Sequence, residues 1–324
     1  MPDLGSGPRS GGGGRGADLA GRASDVHVFE VPLAVDLLRS LKPLVHSAGD
    51  PTIRLRHDEV VRTSRTPAGP ATLRVRRVDG HRFEATAWGA GGGWCLDRAP
   101  ALLGAEDDLT GFDPKRHPTV ARAHHQRPDL RMIRTGSVWD LLVPTILAQR
   151  VTSREAARSW TRLCWRHGEA APGPCPRLRL PPSPRVCAAL DDATWHQLGV
   201  ERSRAEAVRS ASRHVAHLQA ALDLPRAQRL EAVTRVPGIG AWTAGHLLRV
   251  TGGDPDAVEV GDFHVKHHIA YALAGEPRAD DPRMLELLAP FAGHRGRVVR
   301  LLVSRAPRPP SFGPKLRITP VEHL

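Results

Sequence analysis

The chain has 324 residues, 40% of them apolar, and sets 46 Lys and Arg against 34 Asp and Glu for a formal net charge of +12. That is more than one ordinary domain and enough to bury a real core, so two packed domains with tails are expected, not a wholly disordered chain. The pI near 10.8 points to a polyanionic partner, with nucleic acid the leading class.

Lys42, Lys115, Lys266 and Lys315 are the only lysines, so arginine carries almost all of the positive charge. Arginine grips phosphate with a planar fork but cannot act as an amine nucleophile. Cys95, Cys164, Cys175 and Cys187 form neither a C-x-x-C pair nor an iron–sulfur spacing, which reads as incidental thiols in a reducing compartment. No apolar run is long enough to span a membrane and the start lacks a secretory apolar core. A soluble cytoplasmic protein associated with the nucleoid is expected.

Residues 1–25 are Gly, Ser and Arg with almost nothing to bury, and read as a disordered tail. Residues 26–113 read as an α+β domain with a largely antiparallel sheet. One amphipathic helix is expected over 31–46, then strands over 60–66, 72–78 and 82–88, with Asp79-Gly80 as a hairpin turn. A loose glycine turn at 89–93 precedes a short helix at 99–103.

Residues 114–305 read as mainly α-helical. Helices are expected at 115–125, 137–148, 152–166, 183–190, 192–197, 202–219, 226–234, 241–251, 263–274, 281–290 and 294–304. Residues 171–184 hold too many prolines for a helix and read as a surface loop; residues 306–324 read as a proline-rich tail.

The most informative stretch is Val236-Pro237-Gly238-Ile239-Gly240-Ala241-Trp242-Thr243-Ala244, a short turn between two helical periods. Pro237 presets one φ, while Gly238 and Gly240 permit a tight turn that leaves bare N–H groups at a helix start. Such N–H groups bind phosphate. Asp262 follows twenty residues after Trp242, just ahead of the helical period of 263–274. It reads either as a helix N-cap or as a carboxylate that stabilises a cationic sugar as an N-glycosidic bond breaks. His264 and His268 are spaced i,i+4, but a metal site needs a third ligand that the sequence does not locate, so solvated or phosphate-facing histidines are expected.

The segments VPGIGAWTAGHLLR and VEVGDFHVKHH, with Ile146-Leu147-Ala148-Gln149-Arg150-Val151-Thr152-Ser153 and Leu198-Gly199 through Ala207, resemble the helix-hairpin-helix (HhH-GPD) DNA glycosylase superfamily, in its 3-methyladenine DNA glycosylase II type. The resemblance implies an α+β N-terminal domain followed by a helical HhH-GPD region, and a monofunctional enzyme that removes alkylated purines from double-stranded DNA as a monomer. It implies Asp262 as the catalytic carboxylate and Gly238, Gly240 and Thr243 as DNA-backbone contacts. The carbonyls of Thr234, Val236 and Ile239 would hold a monovalent cation, Na⁺ or K⁺; no iron–sulfur cluster is implied.

Trp242, His246, Phe263 and Trp139 would line the base pocket, and Gln149 and Arg150 would fill the gap left by a flipped base. Trp242 stands where bifunctional relatives place a Schiff-base lysine, so release of the base without strand cleavage is expected. Lys266, one turn after Asp262, suits an ion pair with it or a phosphate contact. Three places depart from the pattern: Arg150 replaces an apolar wedge, and His246 and Val303-Ser304 stand where aromatic walls are expected. A non-catalytic DNA-binding or damage-sensing protein is the alternative reading.

Overall fold

The computed structural model describes residues 26–310; the tail expected at 1–25, and 311–324 of the C-terminal one, lie outside the described residues. The chain runs β1 (His27–Glu30), α1 (Leu37–Ser40), β2 (Ile53–Leu55), β3 (Glu59–Thr66), β4 (Gly69–Arg77), β5 (Arg82–Trp88) and α2 (Gly92–Leu102). Then come α3 (Pro118–His125), α4 (Trp139–Leu147), α5 (Ser153–His167), α6 (Pro184–Ala189), α7 (Asp192–Gln197), α8 (Arg202–Arg213) and α9 (Val215–Ala220). The last five are α10 (Arg226–Thr234), α11 (Ala241–Thr251), α12 (Val265–Ala274), α13 (Asp281–Leu288) and α14 (Arg295–Arg305).

The sheet is antiparallel throughout, in the order β1-β5-β4-β3-β2. Val60 pairs with Val75 and Val75 with Ala85, and their buried side chains share a face with Leu73 and Phe83 neighbours against α2. α2 answers with Cys95, Leu96, Ala99 and Leu102, a helical period of buried residues. The sheet docks on the helical region through Asp140 of α4, which accepts from Arg62 Nη2 at 3.2 Å and from the Arg65 N–H at 2.9 Å. Buried apolar side chains form one continuous core from Val31 to Val250. A second cluster, including Ile269, Met284, Leu288, Phe291 and Val298, holds α12 to α13, α14 and α3.

The sequence reading fails at four local points. The helix expected over 31–46 is only the four residues of α1 and a 3-10 turn, Lys42–Leu44; Pro43 lacks an N–H and disfavours helical backbone before it. The short helix expected at 99–103 is the end of α2, which already begins inside the expected glycine turn. The helix expected over 202–219 breaks at His214, whose ring nitrogen donates to the Ser210 carbonyl at 2.8 Å. β1 and β2, the two edge strands, are too short to show a period in sequence.

His46 packs edge-on against Trp160, ring centroids 5.9 Å apart, and burial pushes its imidazole down to about 4. In the unfolded chain a histidine takes its proton near ~6.5. The unfolded state therefore binds the proton first as the pH falls, and stability is expected to decline between those two values, at most about 1.4 kcal/mol per pH unit. Chemical denaturation across that window checks this: His46→Gln should flatten the slope there.

Candidate active site

The turn between α10 and α11 is anchored from below. Val233, Val236 and Ile239 are buried, while Leu230 is 47% exposed. Gly238 has φ 87° and a Cβ there would lie 2.5 Å from the Ala207 Cβ of α8. Only glycine meets both demands. Gly240 is the N-cap of α11 in extended conformation, and a Cβ there would meet nothing within 4 Å. Its outer side is open.

Neither the Gly238 nor the Gly240 N–H donates to a backbone carbonyl among the described residues, and the first N–H groups of α11 lack helical acceptors. Gly238→Ala is expected to destabilise the fold by about 1–3 kcal/mol, whereas Gly240→Ala should leave the melting temperature unchanged; thermal unfolding of the two variants tests this.

The Gln149 amide, at the end of α4, donates to the Gly238 carbonyl at 3.0 Å and to Thr243 Oγ1 at 2.9 Å. Two expectations change as a result. Gln149 is occupied in bracing the turn and does not reach out as a gap-filling side chain, and the Thr243 hydroxyl points inward, its residue being 1% exposed. Only the Thr243 N–H stays on the helix start. Arg150, next in the chain, is exposed and holds a left-handed φ of 57°.

Asp262 takes the capping role, one of the two that the sequence left open. Oδ1 accepts from the N–H groups of His264 and Val265 at 2.8 and 2.9 Å, which caps α12. Oδ2 accepts from the indole Nε1 of Trp242 at 3.0 Å. The preceding loop is fixed by Asp281, which accepts from the Gly261 N–H at 3.0 Å and pairs with Lys266 at 3.2 Å. Lys266 is therefore not the partner of Asp262 that i,i+4 spacing suggested. α11 approaches this loop so closely that a Cβ on Gly245 would lie 2.2 Å from the Val258 carbonyl oxygen. That contact is what places Trp242 against Asp262.

His246, one turn beyond Trp242, lies with its ring 13° from the indole plane and the centroids 6.4 Å apart. Its Nδ1 is 3.1 Å from Glu259 Oε1, which also receives two nitrogens of Arg249. Burial pushes Glu259 up, but the Arg249 guanidinium and the His246 hydrogen bond prevail and hold it well below the usual carboxylate range. Sequence reading missed Glu259 and Arg249; the only available signal was their nearness in the chain to Asp262 and His246.

Phe263 is 73% exposed beside Asp262, edge-on to His264 and His267 at 5.0 and 6.0 Å. Trp139 is a correction: it is 3% exposed in the core, with Nε1 donating to the Pro182 carbonyl at 2.8 Å, and does not line a base pocket. His268 is buried with Nε2 on the Ala306 carbonyl, and His267 accepts from the Ala279 N–H. No group of three or more His, Cys, Asp or Glu among the described residues can hold a metal ion. At the hairpin, the Val236 carbonyl accepts from the Ile239 N–H at 3.1 Å, while those of Thr234 and Ile239 accept no backbone hydrogen bond outside the helices.

The chain thus places a sheet-bearing N-terminal part before a helical region that carries the α10–α11 hairpin and the capping Asp262. Residues 143–290 match the model of the HhH-GPD superfamily base excision DNA repair protein family. Over those residues the chain is similar to the HhH-GPD superfamily. No curated protein matches in sequence.

Among solved structures, the chain is similar to a 3-methyladenine DNA-glycosylase from Archaeoglobus fulgidus, at 14% identity and a TM-score of 0.71 over 86% of this chain and 97% of that one. It is similar to MBOgg1 in complex with a low-affinity DNA ligand, at 13% identity and a TM-score of 0.68 over 87% and 96%. A Clostridium acetobutylicum 8-oxoguanine glycosylase/lyase, in complex with double-stranded DNA, gives 12% identity and 0.58 over 78% and 96%. These likenesses establish the fold. No described helix is long and apolar enough to cross a membrane.

Proposed function

We propose that the chain is a monofunctional DNA glycosylase of base excision repair, which hydrolyses the N-glycosidic bond of alkylated purines such as 3-methyladenine in duplex DNA. The observation that carries this reading is Asp262: a carboxylate fixed by three N–H donors, next to an open hairpin of phosphate-binding geometry. Among the similar structures, the name of the 3-methyladenine DNA-glycosylase supports the substrate class, whereas the Clostridium acetobutylicum enzyme is named for 8-oxoguanine.

In this reading the N–H groups at Gly238 and Gly240 and at the start of α11 bind the DNA backbone, and the carbonyls of Thr234, Val236 and Ile239 hold Na⁺ or K⁺. A monovalent cation held by these carbonyls would supply positive charge to the same phosphate. The target nucleotide leaves the stack, and Arg150 enters the gap, where its guanidinium plane stacks on neighbouring bases. The C1′–N bond then breaks with both electrons going to the base. A cationic alkylated purine leaves neutral and needs no proton from the protein. The sugar becomes an oxocarbenium ion facing the Asp262 carboxylate, water adds at C1′ and loses a proton, and an abasic site remains.

Strand cleavage through an imine has no support here, because position 242 is Trp and Lys266 is paired with Asp281. The test is a duplex carrying alkylated purines, followed for strand breaks before and after heating and for borohydride-trapped adducts. Breaks only after heating are expected. A trapped covalent adduct would overturn the monofunctional assignment.

A further inference from the structure

Resting on the glycosylase reading, we infer that His246 is the specificity-determining residue of the base site, presenting Nε2 as a hydrogen-bond acceptor that selects purines bearing an N–H donor on the exposed edge. The geometry sets the tautomer. Glu259 Oε1 already receives two nitrogens of Arg249 and lies 3.1 Å from His246 Nδ1. A carboxylate only accepts, so the proton of a neutral imidazole belongs on Nδ1. The Arg249 nitrogen, 3.2 Å from the same Nδ1, also only donates and is left as a neighbour in contact. Nε2 is then an acceptor.

No hydrogen bond within the described residues takes Nε2, and the side chain is 21% exposed. Its ring runs nearly parallel to that of Trp242, one helical turn earlier on α11, and the Trp242 indole is bonded to Asp262. A base held against the indole thus meets a fixed polar reader. A purely aromatic wall would accept any flat ring, whereas an unpaired acceptor disfavours a base with no N–H to offer.

The amino group of 3-methyladenine offers two such donors; in ethenoadenine the fused ring has consumed them. Rates of base release from methylated duplex DNA and from an ethenoadenine duplex are compared for wild type, His246→Phe and His246→Gln. The wild type should act faster on 3-methyladenine. His246→Phe should lower that rate by about tenfold without lowering the ethenoadenine rate, and His246→Gln, which keeps an acceptor, should restore most of it. An unchanged ratio of the two rates in His246→Phe, or an equal loss on both bases, overturns the inference while leaving the glycosylase reading intact. Failure of the wild type to release any alkylated base overturns both.

Discussion

Asp262→Asn is expected to abolish most base release, by about 10²–10³-fold in the single-turnover rate, while the protein stays folded and still binds duplex DNA. The asparagine oxygen can keep accepting from the His264 and Val265 N–H groups, so the cap of α12 persists. What disappears is the negative charge beside C1′, and one acceptor for the Trp242 indole, since a side-chain amide can satisfy only one of the two sides. Rapid-quench kinetics beside a binding titration separate these effects. Equal losses in binding and release would instead assign Asp262 a purely structural role.

The largest expected effect on stability lies far from the hairpin. The side chains of Asp107 and of Arg297 in α14 are 1% and 4% exposed, and Arg297 Nη1 donates to Asp107 Oδ2 at 3.0 Å. Asp107 also accepts from the Met132 N–H at 3.0 Å, so a single carboxylate ties the segment after α2 to the loop before α4 and to the last helix. Asp107→Ala leaves a guanidinium buried without its counter-charge and is expected to cost about 3–5 kcal/mol, a large share of the stability of an ordinary domain. The shift in denaturation midpoint measures it. Adding Arg297→Met to Asp107→Ala should recover part of the loss, because the stranded charge is then gone.

Much of the helical architecture is legible because its ends are punctuated. Thr152 and Glu155 form a reciprocal capping box at the start of α5, and Ser183, Asp191 and Asp280 cap α6, α7 and α13 with their side chains. Residues 31–46 mislead because their apolar period continues across Pro43, which the backbone cannot follow as helix. The hairpin and the Asp262 spacing are likewise local features.

What stays hidden is long-range. Nothing in the sequence shows that Gln149 reaches the Gly238 carbonyl, that Asp281 rather than Asp262 takes Lys266, or that Trp139 is bonded to Pro182 in the core. The Glu259 carboxylate beneath His246 is hidden in another way: it is near in sequence, but its meaning depends on the approach of α11 that Gly245 allows.

The central claim is that the hairpin and Asp262 together remove damaged bases from DNA. Its most direct test is the amount of free purine that the wild-type chain releases from methylated duplex DNA, with abasic sites counted on the same strands. Release of alkylated purine above the protein-free control, matched by an equal number of abasic sites, is expected. Binding of that DNA with no base released would contradict it.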